Sequence, residues 1–381
     1  MLAAVEAAAP VDTVRVFARE LRRQVDAVQV SFLIANFSAR SLTRLTQSAT
    51  QGPGERAPEQ VPLSDDVLPY ERAVLTQQVQ IVPEGAGARL LAPVSTRGDA
   101  MGVLELLLPA PADDDVRALI KAAANTLALV ITAERRHTDL YEWGNRITPL
   151  VLAAEIQHRL LPDAFTCEAG TFTLAAWLEP AGNIGGDTFD YSLDRTKLFL
   201  SITDAMGHQV EAALLATLAV GSLRNSRRAG ADLVTMAGAA NRAIEENSSD
   251  PGFVTGLLMS VDLRDGSTEI VNAGHPPPLL QRGGEVRPLQ LTPDLPLGIR
   301  PDLGYQVQHF QLQPGDRLIL LTDGMLERNA EHLDLAAFIA DHAADHPRQL
   351  IQALTAAVED AVGGELADDA TVMCLHWHGP A

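Results

Sequence analysis

Cysteine is nearly missing from this chain: Cys167 and Cys374 are the only two in 381 residues, with no CxxC and no close Cys/His pairing. That argues against a disulfide framework or a structural zinc site, and it fits a reducing cytoplasm. Basic residues are also short, 29 against 49 acidic for a net charge of −20, which argues against general affinity for nucleic acid or an anionic membrane. No run approaches about 18 uninterrupted apolar residues, so no membrane span is expected. The opening MLAAVEAAAP has neither a basic flank nor a long apolar core, and no signal peptide is expected. Internal repeats and low-complexity tracts are absent. What remains is ordinary globular composition, 46% hydrophobic and 20% charged, in a chain long enough for two domains.

Residues 1–135 read as a small α/β domain. Pro10 opens a helical pattern with Val14, Phe17, Leu21 and Val25 at three- and four-residue spacing. Strands are expected over 28–34 and 42–48, then a loop at QGPGERAP (51–58) and a short helix capped by Ser64. Strands at 79–82, 89–94 and 102–108 follow, the last two joined by a turn at Thr96-Arg97-Gly98-Asp99. Asp113 to Asp115 then place negative charge at the start of a long helix. This order, with LLAPVSTRGDAMGVLELLL, resembles a GAF domain, a sensory relative of the PAS fold that binds small molecules or dimerises. Every histidine lies at His137 or later and both cysteines later still. A haem with a histidine axial ligand, or a thioether-linked bilin, therefore has no attachment residue in this domain.

The helical pattern runs on past Glu134-Arg135-Arg136 towards Thr148, where Thr148-Pro149 reads as an N-cap followed by proline at the first helical position. Leu140, Trp143, Ile147, Leu150, Ala154 and Leu161 lie near a heptad seam with Gln157 as a polar interruption. Residues 136–162 are expected to form a kinked helical linker that pairs two copies into a homodimer. The plainer alternative is an amphipathic helix packed on its own domain.

The second half is organised around NIGGDTFDYSLDRTKLFLSITDAMGH (183–208), read as an acidic turn, a short connection, a buried strand and a second acidic turn opening onto a helix. Asp187 follows Gly185-Gly186, and Asp204 follows the apolar run Leu198 to Ile202. Two more acidic turns lie at strand boundaries, Asp323-Gly324 after RLILLT and Asp368-Asp369 before the last strand. Each alone is a common turn. Together, without a basic neighbour to offset them, they call for a hard divalent cation bound by oxygen ligands. The elements around them fit two antiparallel sheets flanked by helices.

The stretches IGGDTFDY (184–191), DAMGH (204–208), NAGHPPPLL (272–280), LPLGI (295–299), PGDRLILLTDGMLE (314–327) and DDATV (368–372) resemble, in order, the metal-dependent protein phosphatases. The nearer branch is the bacterial one typified by stage II sporulation protein E and the sigma-regulating phosphatases. The resemblance covers about residues 160–377. It implies a fold class of α/β (α+β), with an N-terminal GAF-like domain (1–135), a helical linker (136–162) and a C-terminal α-β-β-α sandwich (163–381). It also implies two Mn²⁺ or Mg²⁺ ions held by Asp187, Asp204, the Ala205 carbonyl, Asp323 and Asp368, with Asp369 in the neighbouring position and able to share that role. Such a site activates water against a phosphoseryl or phosphothreonyl group and needs no side-chain nucleophile. His208 and His275 are the candidate general acids.

Two departures stand out: Gln209 replaces the last glycine of the family's GHG, and Thr188 stands where an aromatic is common. In the relatives it resembles, the partner is a phosphorylated anti-sigma-factor antagonist. The rival readings are a signalling scaffold without chemistry and a phosphatase of small phosphoesters.

Overall fold

A computed structural model describes residues 1–36, 41–45, 60–62, 68–145, 151–180, 185–207, 209–247, 252–300, 302, 304–326, 333–362, 366 and 368–380. The expected loop at 51–58, Ser64, Thr148-Pro149 and His208 lie outside the described residues. The chain divides into two compact units, Met1–Pro149 and Leu150–Ala381. Residues expected to form a connecting helix are therefore shared between the two.

In the first unit, helices α1 (Leu2–Glu6) and α2 (Thr13–Gln24) precede strands β1 (Gln29–Ala35), β2 (Ser41–Leu45) and β3 (Gln60–Pro62). Helix α3 (Leu68–Thr76), strands β4 (Gln80–Glu84), β5 (Gly87–Thr96) and β6 (Asp99–Leu108), and helices α4 (Asp114–Glu134) and α5 (Leu140–Asn145) complete it. The strands form one antiparallel sheet in the order β3-β2-β1-β6-β5-β4. Because strand side chains alternate, the sheet has two apolar faces. Phe32, Ile34, Leu90, Leu104 and Leu106 share a core with Phe17, Leu21 and Leu127 of the outer helices. Leu33, Leu91 and Val103 face Tyr70, Ala73 and Val74 of α3.

Helix α4 starts where the charges placed it, with the Asp113 carboxylate accepting from Val116 N at 2.8 Å. By length and apolarity, residues 114–137 pass as a membrane-crossing helix, although no single apolar run does. Their buried stripe, Ile120, Ala123, Leu127 and Ile131, belongs to the sheet core. The expected continuation towards Thr148 fails. After a 3₁₀ turn at Arg135–His137, Thr138 is extended (φ −156°), and its hydroxyl accepts from Leu140 N at 3.1 Å to start α5. A threonine hydroxyl that offers the backbone a local partner stops one helix and begins the next.

The second unit is a sandwich between helical layers. One sheet, among the described residues, has the order β15-β12-β11-β10-β9, from β9 (Asp187–Leu193), β10 (Lys197–Ala205), β11 (Val254–Asp262), β12 (Ser267–Ala273) and β15 (Gln308–Gln311). The other has the order β14-β13-β16-β17-β8-β7, from β7 (Thr166–Glu168), β8 (Phe172–Glu179), β13 (Leu279–Arg282), β14 (Glu285–Pro288), β16 (Arg317–Leu321) and β17 (Ala370–Trp377). The stretch expected as a short connection after Asp187 is the edge strand β9. Its alternating Phe189 and Tyr191 point to the core between the sheets.

Between the sheets lie Phe172, Leu200, Met259, Leu320 and Trp377. Helices α7 (Gln209–Arg228) and α8 (Leu233–Asn247) cover the outer face of the first sheet. Helices α9 (Leu335–Asp341) and α10 (Pro347–Val362) cover the second. Helix α6 (Leu152–Leu160) buries Ala153, Ala154 and Gln157 and packs beside α7. Ala154 and Gln157, read from the sequence as seam positions for a partner copy, are thus used inside this unit.

Candidate metal centre

The four acidic turns meet at one end of the sandwich. Asp187 opens β9 and Asp204 lies near the end of β10, directly opposite it in the antiparallel register. Gly186 makes the approach possible: a Cβ there would come within 2.6 Å of the Ala205 carbonyl oxygen. Asp323 begins a short 3₁₀ turn at the end of β16, and Asp368-Asp369 lead into β17, the neighbour of β16. An added Cβ on Gly324 would overlap the Asp369 carbonyl, so the tight DG turn is required for these two segments to touch.

The acids do not behave alike. Asp187 is 2% exposed, and its Oδ2 accepts from Thr322 Oγ1 at 2.7 Å and Thr371 Oγ1 at 2.6 Å. Burial, then the charges of Asp204 and Asp369, raise its pKa well above the usual carboxylate value. Asp204 is pushed up to about 7 by burial, then by Asp323, Asp368 and Asp369, while a hydrogen bond with Asp187 works the other way. Asp369 is 1% exposed and turned inward, its Oδ2 accepting from Gln157 Nε2 at 2.6 Å and Gly186 N at 3.2 Å. Asp368 is half-buried, and its Oδ1 accepts from Asp369 N at 2.9 Å.

Among the described residues, no three His, Cys, Asp or Glu side chains form a closed shell able to hold a metal outright. Asp187 and Asp204 are held above the usual carboxylate pKa by burial first and then by the neighbouring acids. An all-oxygen set with uncompensated negative charge suits a hard divalent cation, so the residues fit the group their pattern implies.

A cavity of about 790 Å³ opens over this end, lined by Asp204, Thr255, Gly274, His275, Pro276, Pro293, Asp294, Leu295 and Asp323. His275 is 3% exposed, with Nδ1 2.8 Å from Thr255 Oγ1 and its backbone clasped by the Asn272 side chain. Burial lowers its pKa to about 4, offset in part by the backbone of Leu321. Its imidazole is therefore neutral at physiological pH. Thr188, the departure from an aromatic, is buried with its hydroxyl 2.5 Å from that of Thr203. Gln209 takes the left-handed conformation, φ 57°, at the position where the resembling family has glycine.

Residues 194–378 match the family model described as Stage II sporulation protein E (SpoIIE). The match covers a little under half of the chain, so these residues are similar to that family's domain. The match contains Asp204, Ala205, Asp323 and Asp368, while Asp187 precedes it. Among curated proteins the domain is similar to Stage II sporulation protein E of Bacillus subtilis (strain 168), 26% identical over 199 residues, 51% of this chain and 24% of that protein. It is also similar to Phosphoserine phosphatase RsbU of the same organism, 23% identical over 231 residues, 59% of this chain and 68% of that protein. The chain thus spans between about a quarter and two thirds of the length of these two relatives. Among solved structures, the SiaA-PP2C domain of Pseudomonas aeruginosa superposes with a TM-score of 0.52 at 23% identity, over 59% of this chain and 94% of that one. That likeness establishes the sandwich fold.

Thr322, Thr371 and Gln157 carry no charge, and nothing in the sequence by itself marks them as site residues. The two threonines each sit one position from a strand end beside an acidic turn, which is the signal that could have found them. Gln157 is a lone polar residue in an apolar seam of the sequence, but its partners lie 30 and 212 residues away.

Proposed function

We propose that this chain is a metal-dependent protein-serine/threonine phosphatase acting on a phosphorylated regulatory protein of the anti-sigma-factor-antagonist class. The observation that carries this reading is the gathering of Asp187, Asp204, Asp323 and Asp368 at one end of a sandwich similar to the SpoIIE family's domain, beside a cavity of about 790 Å³. Asp187, Asp204, Asp323, Asp368 and the Ala205 carbonyl are the proposed ligands of two Mn²⁺ or Mg²⁺ ions. Asp369, committed inward to Gln157 and Gly186, supports that set and is assigned no ligand role.

When bound, such ions supply Lewis-acid activation of water and charge compensation for phosphoryl transfer. The chain's own part is placement. Thr322 and Thr371 hold one oxygen of Asp187, which fixes the direction of the other. Pro276, Pro293 and Leu295 give the cavity apolar walls that limit water around the substrate. A neutral, buried His275 suits a hydrogen bond to substrate better than proton donation, which leaves His208 as the candidate acid.

The first unit is proposed as a GAF-like domain that senses a ligand or dimerises the chain, in a cytoplasmic homodimer. The test is dephosphorylation of phosphoserine antagonist proteins with Mn²⁺, with Mg²⁺ and with chelator. Metal-dependent turnover supports the reading. Turnover confined to small phosphoesters favours the phosphoester enzyme, and none on either substrate favours the scaffold.

A further inference from the structure

Helix α6 belongs to neither sheet nor to the acidic turns, yet its one buried polar side chain reaches them. Gln157 is 2% exposed, and its Nε2 donates to the Asp187 carbonyl oxygen at 2.8 Å and to Asp369 Oδ2 at 2.6 Å. A single amide nitrogen with two N–H groups therefore ties the start of β9 to the segment leading into β17. Asp369 in turn donates its backbone N–H to Asp368 Oδ1 at 2.9 Å. Gln157 thus acts one bond removed from two of the proposed ligands, on the backbone of Asp187 and through Asp369 on the carboxylate of Asp368. The helix is also held at its C-terminal end, where Arg224 Nη2 donates to the Leu160 carbonyl at 2.6 Å and to Asp190 Oδ1 at 2.8 Å.

We infer that Gln157 is a positioning residue of the acidic centre, setting the spacing of Asp187 and Asp368 through its amide and thereby the affinity of the site for divalent cations. The inference rests on the metal-centre reading above. Without the amide, the inward carboxylate of Asp369 loses a donor in a site already crowded with negative charge. A buried carboxylate left short of donors reorients. That reorientation disturbs the Asp369 backbone N–H that orients Asp368. Partners that orient metal ligands typically matter by about 10–100-fold in metal affinity or activity when removed.

The test compares the full-length wild type with Gln157→Met, which keeps the volume and removes both donors, and with Ala154→Gly, which weakens the same helix but leaves the amide. Mn²⁺ is titrated calorimetrically into each, and each is melted in chelator. The expected result for Gln157→Met is Mn²⁺ affinity lower by about 10–100-fold. For Ala154→Gly it is wild-type affinity together with a lowered melting temperature. Adding Gln157→Met to Asp369→Asn should cost less affinity than Gln157→Met costs the wild type, because one of the two contacts of the amide is already altered.

Wild-type affinity in Gln157→Met overturns the inference, and so does an equal loss in Ala154→Gly, which would mark a merely structural helix. If Gln157→Met does not fold, Gln157→Glu, of the same shape but lacking the donors, is titrated at about pH 8 with the same expected loss. Absence of Mn²⁺ binding by the wild type would instead overturn the metal-centre reading, and this inference with it.

Discussion

Replacing Asp204 by Asn should abolish turnover and yet make the metal-free protein more stable. Asp204 is held at a pKa of about 7 in the folded chain by burial and by Asp323, Asp368 and Asp369. A carboxylate raised above its unfolded value binds its proton more tightly when folded. Its contribution to stability is therefore full below the unfolded pKa and is lost as pH rises to the folded one. Each pH unit in that window is worth about 1.4 kcal/mol, so raising the pH from about 5.5 to about 8 costs the metal-free wild type roughly 2 kcal/mol, most of it below pH 7.

Asparagine has the same shape and no charge, so the variant should escape this slope. In chelator its stability advantage should be about 2 kcal/mol larger at about pH 8 than at about pH 5.5, or roughly 4–8 °C in melting temperature for a unit of this size. Urea denaturation at the two pH values, with linear extrapolation, measures the difference. Excess Mn²⁺ should stabilise the wild type and not the variant, which erases or reverses the gap. A gain that is absent in chelator, or the same at both pH values, would refute the claim that burial and the neighbouring acids disfavour the Asp204 charge.

Asp323→Asn should reduce phosphoprotein turnover by orders of magnitude without unfolding the chain, as activity and circular dichroism on the same sample would report. Gln209→Gly should raise stability by about 1 kcal/mol, since φ 57° penalises a side chain and not glycine, and a denaturation midpoint no higher than wild type would count against it. Gly324→Ala should destabilise by about 1–3 kcal/mol and lose Mn²⁺ binding, because its methyl overlaps the Asp369 carbonyl. A chain beginning at residue 150 should keep Mn²⁺ binding, whereas one beginning at 163 should bind more weakly for want of Gln157. Equal calorimetric affinities in the two would contradict that ordering.

The sequence alone determined whatever rests on neighbours along the chain. Gly185-Gly186 before Asp187, an apolar strand running into Asp204, and Asp323-Gly324 after RLILLT are local patterns, because a tight turn and a strand end are both decided within a few residues. The alternating and three-to-four-residue periods placed most strands and helices for the same reason. Local reading failed where a competing local bond intervened, as at Thr138, or where pairing partners were remote.

Strand β9 reads locally as a connection because its identity depends on β10, and Asp187 stands opposite Asp204 only through that register. Which of two adjacent acids turns inward was equally hidden: Asp369 is drawn in by Gln157 and Gly186, residues 212 and 183 positions away. The roles of Thr322 and Thr371 on a single Asp187 oxygen likewise span 135 and 184 positions. Hydrogen bonds of that separation exist only after the sheets have packed, so the tertiary structure decided how the acids are held, while the sequence decided which acids were there.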